Sequence, residues 1–376
     1  MKILKYIILA LIVLNIPEVI VRNLGSAMGT ISSYAVFLLL IIYYLFLRER
    51  GALNKPMLLI AVSYYLISSF QSQWPLKEFA FLAIKFFIIV ITGYELVKNT
   101  SVREFSYFFA IGSLTVILHP ILFANDYGRY SGFYFNPNSA GFIAIISFAL
   151  TFYYQKGLIK TSKTLVSSVG GLMTFSRTFV VLWVLLNLLS VKISIKNVKI
   201  FIYGIAVVIF IFSTKEVLQL NTKRINEFEA LINNDKTAAK GLTQDSRADT
   251  WSLYYDKIYD KPFFGNGYHF FQGGHIASAG VGVHNSFLMV MGEAGIIAFL
   301  IFTFYFIYLL IYSYRYFDKA PHLFMMTIGL VAVLMADHGF FYHHVFPITA
   351  MWIQYQIKAL KDNFKTEEVT LTTQLT

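Results

Sequence analysis

The run GVGVHNSFLMVMGEAGIIAFLIF, residues 280–302, puts an imidazole, His284, and a carboxylate, Glu293, at the threshold of an apolar stretch without charge from Ala294 to Ser313. Imidazole exchanges a proton near neutral pH without any help from its surroundings. Nine residues is about 900° of helix rotation, so on a straight helix the two groups face opposite ways. Unless the helix kinks near Gly292 or Gly295, His284 must act with residues from elsewhere. Three arginines also stand out. Arg177 is wedged between apolar segments in GLMTFSRTFVVLW, Arg129 lies in YGRYSGFYFNPNSAGF, and Arg247 opens SRADTWSLYYDKIYDKP. The last of these reads as a helix capped by Ser246, with Asp249 completing an S-x-x-D box and Pro262 as its stop. Ala248, Trp251, Tyr255, Ile258 and Tyr259 recur on one face of it. Arg247 then sits in a first turn whose free N–H groups make an anion seat. Asp337, His338, His343 and His344 in DHGFFYHH are residue types that ligate zinc. They lack a recognised ligand spacing and read as a polar turn, with no metal site.

Composition decides what elements must carry these groups. The chain is 57% hydrophobic and only 14% charged, against roughly a quarter charged in a soluble domain. It holds 37 Phe and 25 Tyr. Its apolar runs are long and continuous rather than alternating, so the expected fold is all-α, a polytopic integral membrane protein. The runs give about twelve spans of about 20 residues each: 3–22, 31–47, 56–72, 78–97, 104–123, 138–155, 162–175, 177–191, 198–214, 294–313, 321–337 and 343–361. With no cysteine, disulfides and thiolate chemistry are excluded.

Placing the N-terminus in the cytoplasm puts 18 of the 31 basic residues on inner segments. The short outer loops keep only Arg22, Lys77, Arg129 and Arg177, as the positive-inside rule requires. The net charge of +11 is mostly this bias, so no nucleic-acid partner is implied. The organisation is therefore spans one to nine over 1–214, one large extracytoplasmic loop over 215–283 with an amphipathic helix near 246–260, spans ten to twelve over 284–361, and a polar cytoplasmic tail over 362–376. A loop this long is a place for function. Arginine is disfavoured in outer turns, and charge near the membrane interior marks a wet cavity or a site. Snorkelling to head groups, or pairing with a residue such as Asp126, is the structural alternative.

GRYSGFYFNPNSAGF, TFSRT, SRADTW followed by KPFFGNGYHFF, and HNSFLMVMGEAGIIAF, in that order and around one large outer loop, resemble the O-antigen ligase and polymerase superfamily of bacterial envelope glycan enzymes. The resemblance covers about residues 125–315. Ala298 departs from it where a small glycine often closes the last motif, and the first five spans carry no motif. The resemblance implies an inverting glycosyl transfer, free of metal and cofactor, on the outer side of the cytoplasmic (inner) membrane. Its donor would be a glycan on undecaprenyl diphosphate and its acceptor a glycan or lipid A–core. It implies that Arg177 and Arg247 clamp the departing diphosphate and that His284 deprotonates the acceptor hydroxyl. Arg129, Trp251, Asn285 and Glu293 become substrate contacts. Polymerase is favoured over ligase because that role recurs in O-antigen, capsule and exopolysaccharide systems alike. A lipid-linked glycan flippase is the rival, but no internal repeat supports it. A scaffold protein would not need the arginines.

Overall fold

The computed structural model describes residues 1–123, 130–213, 247–274 and 281–375. Arg129, Asp126, Ser246 and the greater part of the expected outer loop lie outside the described residues.

Each apolar run becomes helix. The first is broken: α1 (Lys2–Val13) and α2 (Ile16–Leu24) meet at 66°. Asn15 adopts a left-handed conformation there, and the proline in the first turn of α2 suits a helix start. Then come α3 (Ser26–Leu45), α4 (Lys55–Ser69), α5 (Leu76–Lys98), α6 (Val102–Ile117) and the short α7 (His119–Leu122). They are followed by α8 (Pro137–Leu150), α9 (Leu158–Met173), α10 (Arg177–Ile193) and α11 (Val198–Ser213). The chain closes with α12 (Arg247–Asp260), α13 (Ser286–Arg315), α14 (Pro321–Leu334) and α15 (Val345–Leu375). Among the described residues there is no strand.

Three of these helices, α3, α5 and α13, are long and apolar enough to cross a membrane, or four if the bent pair α1–α2 is one span. The expected dozen spans therefore correspond to helical runs of which several are shorter. At 16 residues, α6, α9 and α11 extend about 24 Å each, short of a hydrocarbon core of roughly 30 Å.

The most enclosed helix is α8, buried at every residue from Ala140 to Leu150. It is flanked by α6, α9, α10 and α14, while α13 packs on α4 and α14. At one end of the bundle the cations are tied down. Ser101 caps α6 in a capping box with Glu104, whose carboxylate also accepts from Lys5 at 2.8 Å. Lys98 binds Glu95 at 2.6 Å, and buried Lys163 donates to Ser106 Oγ and Tyr154. At the opposite end α8, α10 and α13 begin and α14 finishes, and the candidate chemistry gathers there.

Candidate active site

Two helix starts build a cationic hollow. Ser176 caps α10 by accepting from the Phe179 N–H, with Phe175 before it held at φ +50. Its hydroxyl also donates to Asn138 Oδ1 at 3.2 Å. Arg177 is therefore the first residue of a fixed helix, braced against the start of α8. Arg247 begins α12. These two arginines, with Asn138, Thr178, Trp251 and Met335, line one hollow of about 470 Å³. The Trp251 indole N–H is buried and has no hydrogen-bond partner among the described residues. The hollow thus offers two guanidiniums, an amide and the side of the Trp251 indole. Such a set suits an anion carrying several oxygens.

His284 lies close by but belongs to a second group. Its backbone is left-handed at φ +48, a conformation few non-glycine residues hold without a reason. Asn285 follows as the cap of α13, its Oδ1 accepting from the Phe287 and Leu288 N–H groups at 2.9 and 3.1 Å. Ser286 Oγ then donates to the Asp337 carbonyl at 2.7 Å, fixing the start of α13 to the turn after α14. The outcome is an imidazole pair, with the rings of His284 and His338 5.0 Å apart and edge to face. His338 is pushed down to about 4, chiefly by burial. Asp337 opposes the shift, while His284, His343 and Arg247 reinforce it. His338 is therefore a neutral imidazole at pH 7, within the electrostatic reach of Arg247.

Glu293 is drawn elsewhere. Helix α13 does not start at Ala294, as the sequence implied, but at Ser286, and it is interrupted at Gly295 (φ 73, ψ −173). The GNG loop that follows α12 enters this break. Asn266 N donates to Gly292 O at 2.7 Å, Gly267 N to Glu293 O at 3.1 Å, and Ile296 N to Pro262 O at 2.8 Å. Breaking a helix orphans main-chain groups, and orphans are costly away from water. Here the loop backbone satisfies them. Glu293 is fully buried at 0% exposure. Its carboxylate accepts from the Tyr64 hydroxyl, from Phe271 N at 2.9 Å, and from Gln272 Nε2 at 3.2 and 3.3 Å. Tyr64 in turn stacks on Phe341 at 3.8 Å.

Of the residues singled out in the sequence, the structure brings Arg177, Arg247 and Trp251 together and sets His284 in an adjoining imidazole pair. The Asn285 side-chain oxygen caps α13, and Glu293 occupies a separate buried centre instead of the mouth of a span. The DHGFFYHH residues have different commitments. Asp337 accepts from Gly339 N at 2.6 Å, His338 meets His284, His343 lies against Phe346, and His344 is edge-on to Phe37. Among the described residues no three His, Asp or Glu converge as a metal-holding group. Sequence reasoning missed Tyr64 and Gln272. It also missed Asn138, although the NPNS segment that contains it stood inside a quoted motif.

The fold and site define a helical membrane protein with a cationic hollow and an imidazole pair at one end of its bundle. Residues 164–303 match the family model Wzy_C, O-Antigen ligase. That match spans 140 of the 376 residues and supports the resemblance to the O-antigen ligase and polymerase superfamily, whose members are glycosyltransferase-like enzymes. The match takes in Arg177, Arg247, Trp251, His284 and Glu293, and leaves GRYSGFYFNPNSAGF outside it. No curated protein matches the chain.

Proposed function

We propose that the chain is an inverting, metal-independent glycosyltransferase, a polysaccharide polymerase acting at the outer face of the inner membrane. Its donor is a glycan on undecaprenyl diphosphate. The observation that carries this reading is the meeting of Arg177 and Arg247, 70 positions apart in the chain, around one hollow of about 470 Å³.

As the bond from the anomeric carbon to the diphosphate oxygen breaks, its electron pair passes to the leaving group and negative charge grows on the phosphates. Arginines fixed at two helix starts meet that charge without reorganising, where such preorganisation is worth most. The side of the Trp251 indole lines the hollow beside them. His284 takes the acceptor hydroxyl proton as the new bond from the anomeric carbon to oxygen forms on the opposite face, inverting its configuration. His338, neutral beside it, adds no charge to hinder protonation of the His284 ring.

The test uses purified protein in nanodiscs with the strain's own lipid-linked oligosaccharide, without nucleotide and with chelator. Longer glycans on the same lipid support a polymerase, and glycan moved onto added lipid A–core supports the ligase instead. Passage of labelled donor across a vesicle bilayer, with no bond made, would replace both readings by a flippase.

A further inference from the structure

A second hollow, of about 540 Å³, lies at the same end of the bundle. Its walls are the α1–α2 break, the first turns of α3, the start of α8 and the segment Tyr342–Phe346. The groups it offers include Glu18, Thr30, Ser33, Asn136, Ser139 and Tyr342. These are hydroxyls, an amide, one carboxylate and an aromatic face, and among the described residues that line it there is no lysine or arginine. His343 and His344 line it as well, and Arg22 lies over the ring of Phe135 at its edge, 4.5 Å from the centroid, so a phosphate would meet Glu18 inside and a single guanidinium only at the rim. An uncharged polyhydroxylated molecule would find donors, acceptors and a ring to stack on. The Ser139 hydroxyl is buried and has no hydrogen-bond partner among the described residues.

The two hollows share their walls. The first turn of α8 turns Asn138 toward the arginines and Asn136 and Ser139 toward the second hollow. The segment after α14 does likewise, with Met335 and Ala336 on the arginine side and Tyr342 and His343 on the other. His338 stands in that segment between His284 at 5.0 Å and Tyr342 at 5.9 Å, ring to ring. Displacement with inversion needs nucleophile and leaving group on opposite sides of the reacting carbon.

Resting on the proposed transfer reaction, the geometry points to the second hollow as the seat of the acceptor: an uncharged glycan whose attacking hydroxyl reaches across the shared wall toward His284. The break between α1 and α2, which carries no motif, then has a task, since it opens the cleft that admits the sugar.

The experiment uses the full chain in nanodiscs with two probes. One is the free oligosaccharide released by mild acid from the strain's lipid-linked pool, followed by titration calorimetry. The other is labelled inorganic pyrophosphate. Ser33→Trp fills the second hollow and is expected to weaken oligosaccharide binding at least tenfold while leaving pyrophosphate binding unchanged. Thr30→Trp, at an exposed position on the rim, is expected to act the same way and decides the matter if Ser33→Trp loses both probes through misfolding. Arg177→Ala is expected to weaken pyrophosphate binding alone. Unchanged oligosaccharide affinity in Thr30→Trp, or no binding by the wild type, overturns the acceptor assignment. Unchanged pyrophosphate affinity in Arg177→Ala overturns the arginine hollow instead and leaves the sugar seat standing.

Discussion

Tyr64 in α4 and Glu293 in α13 are 229 positions apart in the chain, yet phenol and carboxylate are hydrogen-bonded to each other inside the protein with neither residue exposed. The bond joins a helix of the motif-free first five spans to the helix that follows His284. Replacing Glu293 by alanine orphans the Tyr64 hydroxyl, Phe271 N and Gln272 at once, at roughly 1–3 kcal/mol for each buried group. Glu293→Ala is expected to lower the unfolding midpoint by several degrees, and Tyr64→Phe to lower it less. Tryptophan fluorescence during heating in detergent reads both. A Glu293→Ala protein of wild-type stability would remove this account.

In the proposed reaction Arg177 and Arg247 act on one leaving group, so their losses should not add independently. Arg177→Ala is expected to reduce turnover roughly 10²–10³-fold, the scale for losing one donor to developing charge. Arg177→Lys recovers only part, because an ammonium cannot grip two oxygens in one plane. The Arg177→Ala/Arg247→Ala protein falls less than the product of the single losses. Strict multiplicativity would place the two in separate sites.

Loss of the His284 imidazole removes the proposed base. His284→Ala is expected to lower turnover roughly 10²–10⁴-fold with donor binding unchanged. His284→Asn keeps a side chain that tolerates φ +48 and so separates lost chemistry from lost backbone geometry. An active His284→Asn enzyme would show that the position serves shape alone.

His338 makes stability depend on pH in one direction. Its ordinary value near 6.5 is pushed down to about 4 by burial first, so between those values the unfolded chain binds the proton and the folded chain does not. Stability therefore rises with pH across that window. Its contribution is complete above about 6.5 and is lost as pH falls toward 4. Unfolding midpoints taken from pH 4 to 8 should climb and then level off, and His338→Gln should flatten the climb. A slope that survives this change belongs to other groups.

Gly295 has φ +73, and a Cβ there would sit 2.0 Å from the Phe263 carbonyl oxygen. Gly295→Ala is expected to cost at least about 1–2 kcal/mol, the penalty for a left-handed L-residue, and to expel the loop. Limited proteolysis around residues 261–267 reads the expulsion, and an unchanged digestion pattern would count against it.

The helical runs were legible because continuous apolar sequence leaves the backbone few alternatives. The break in α13 was legible only as a place where a kink could fall, near Gly292 or Gly295. Nothing in MGEAGIIAF says that the kink occurs, and a loop arriving from outside makes the interruption at Gly295 possible. Glu293 therefore looked like the rim of a span when it is buried in a polar centre whose partners come from α4 and residues 271–272. Asn285 looked like a ligand, although Asn before Ser-Phe at a helix start is also a cap signature, and the structure uses it so. Arg177 and Arg247 could be marked by their unlikely surroundings, but their meeting is a tertiary fact that spacing cannot supply. His338 was noticed for its residue type, yet its pairing with His284 depends on the bond between Ser286 and the Asp337 carbonyl.

The stitch between residues 262–267 and the interrupted helix is made of peptide groups, and these do not recognise which side chains they carry. Phe263 and Phe264, both exposed, can drift in evolution at little cost. Gly265 and Gly267 cannot, since a methyl on Gly265 would strike the main chain of Glu293 and one on Gly267 the main chain of Gln71 and Ser72. Length is equally fixed: one residue inserted or deleted shifts every donor past its acceptor. The GNG segment is therefore a ruler as well as a linker, and chimeras that swap outer loops between relatives should succeed only when its count is preserved.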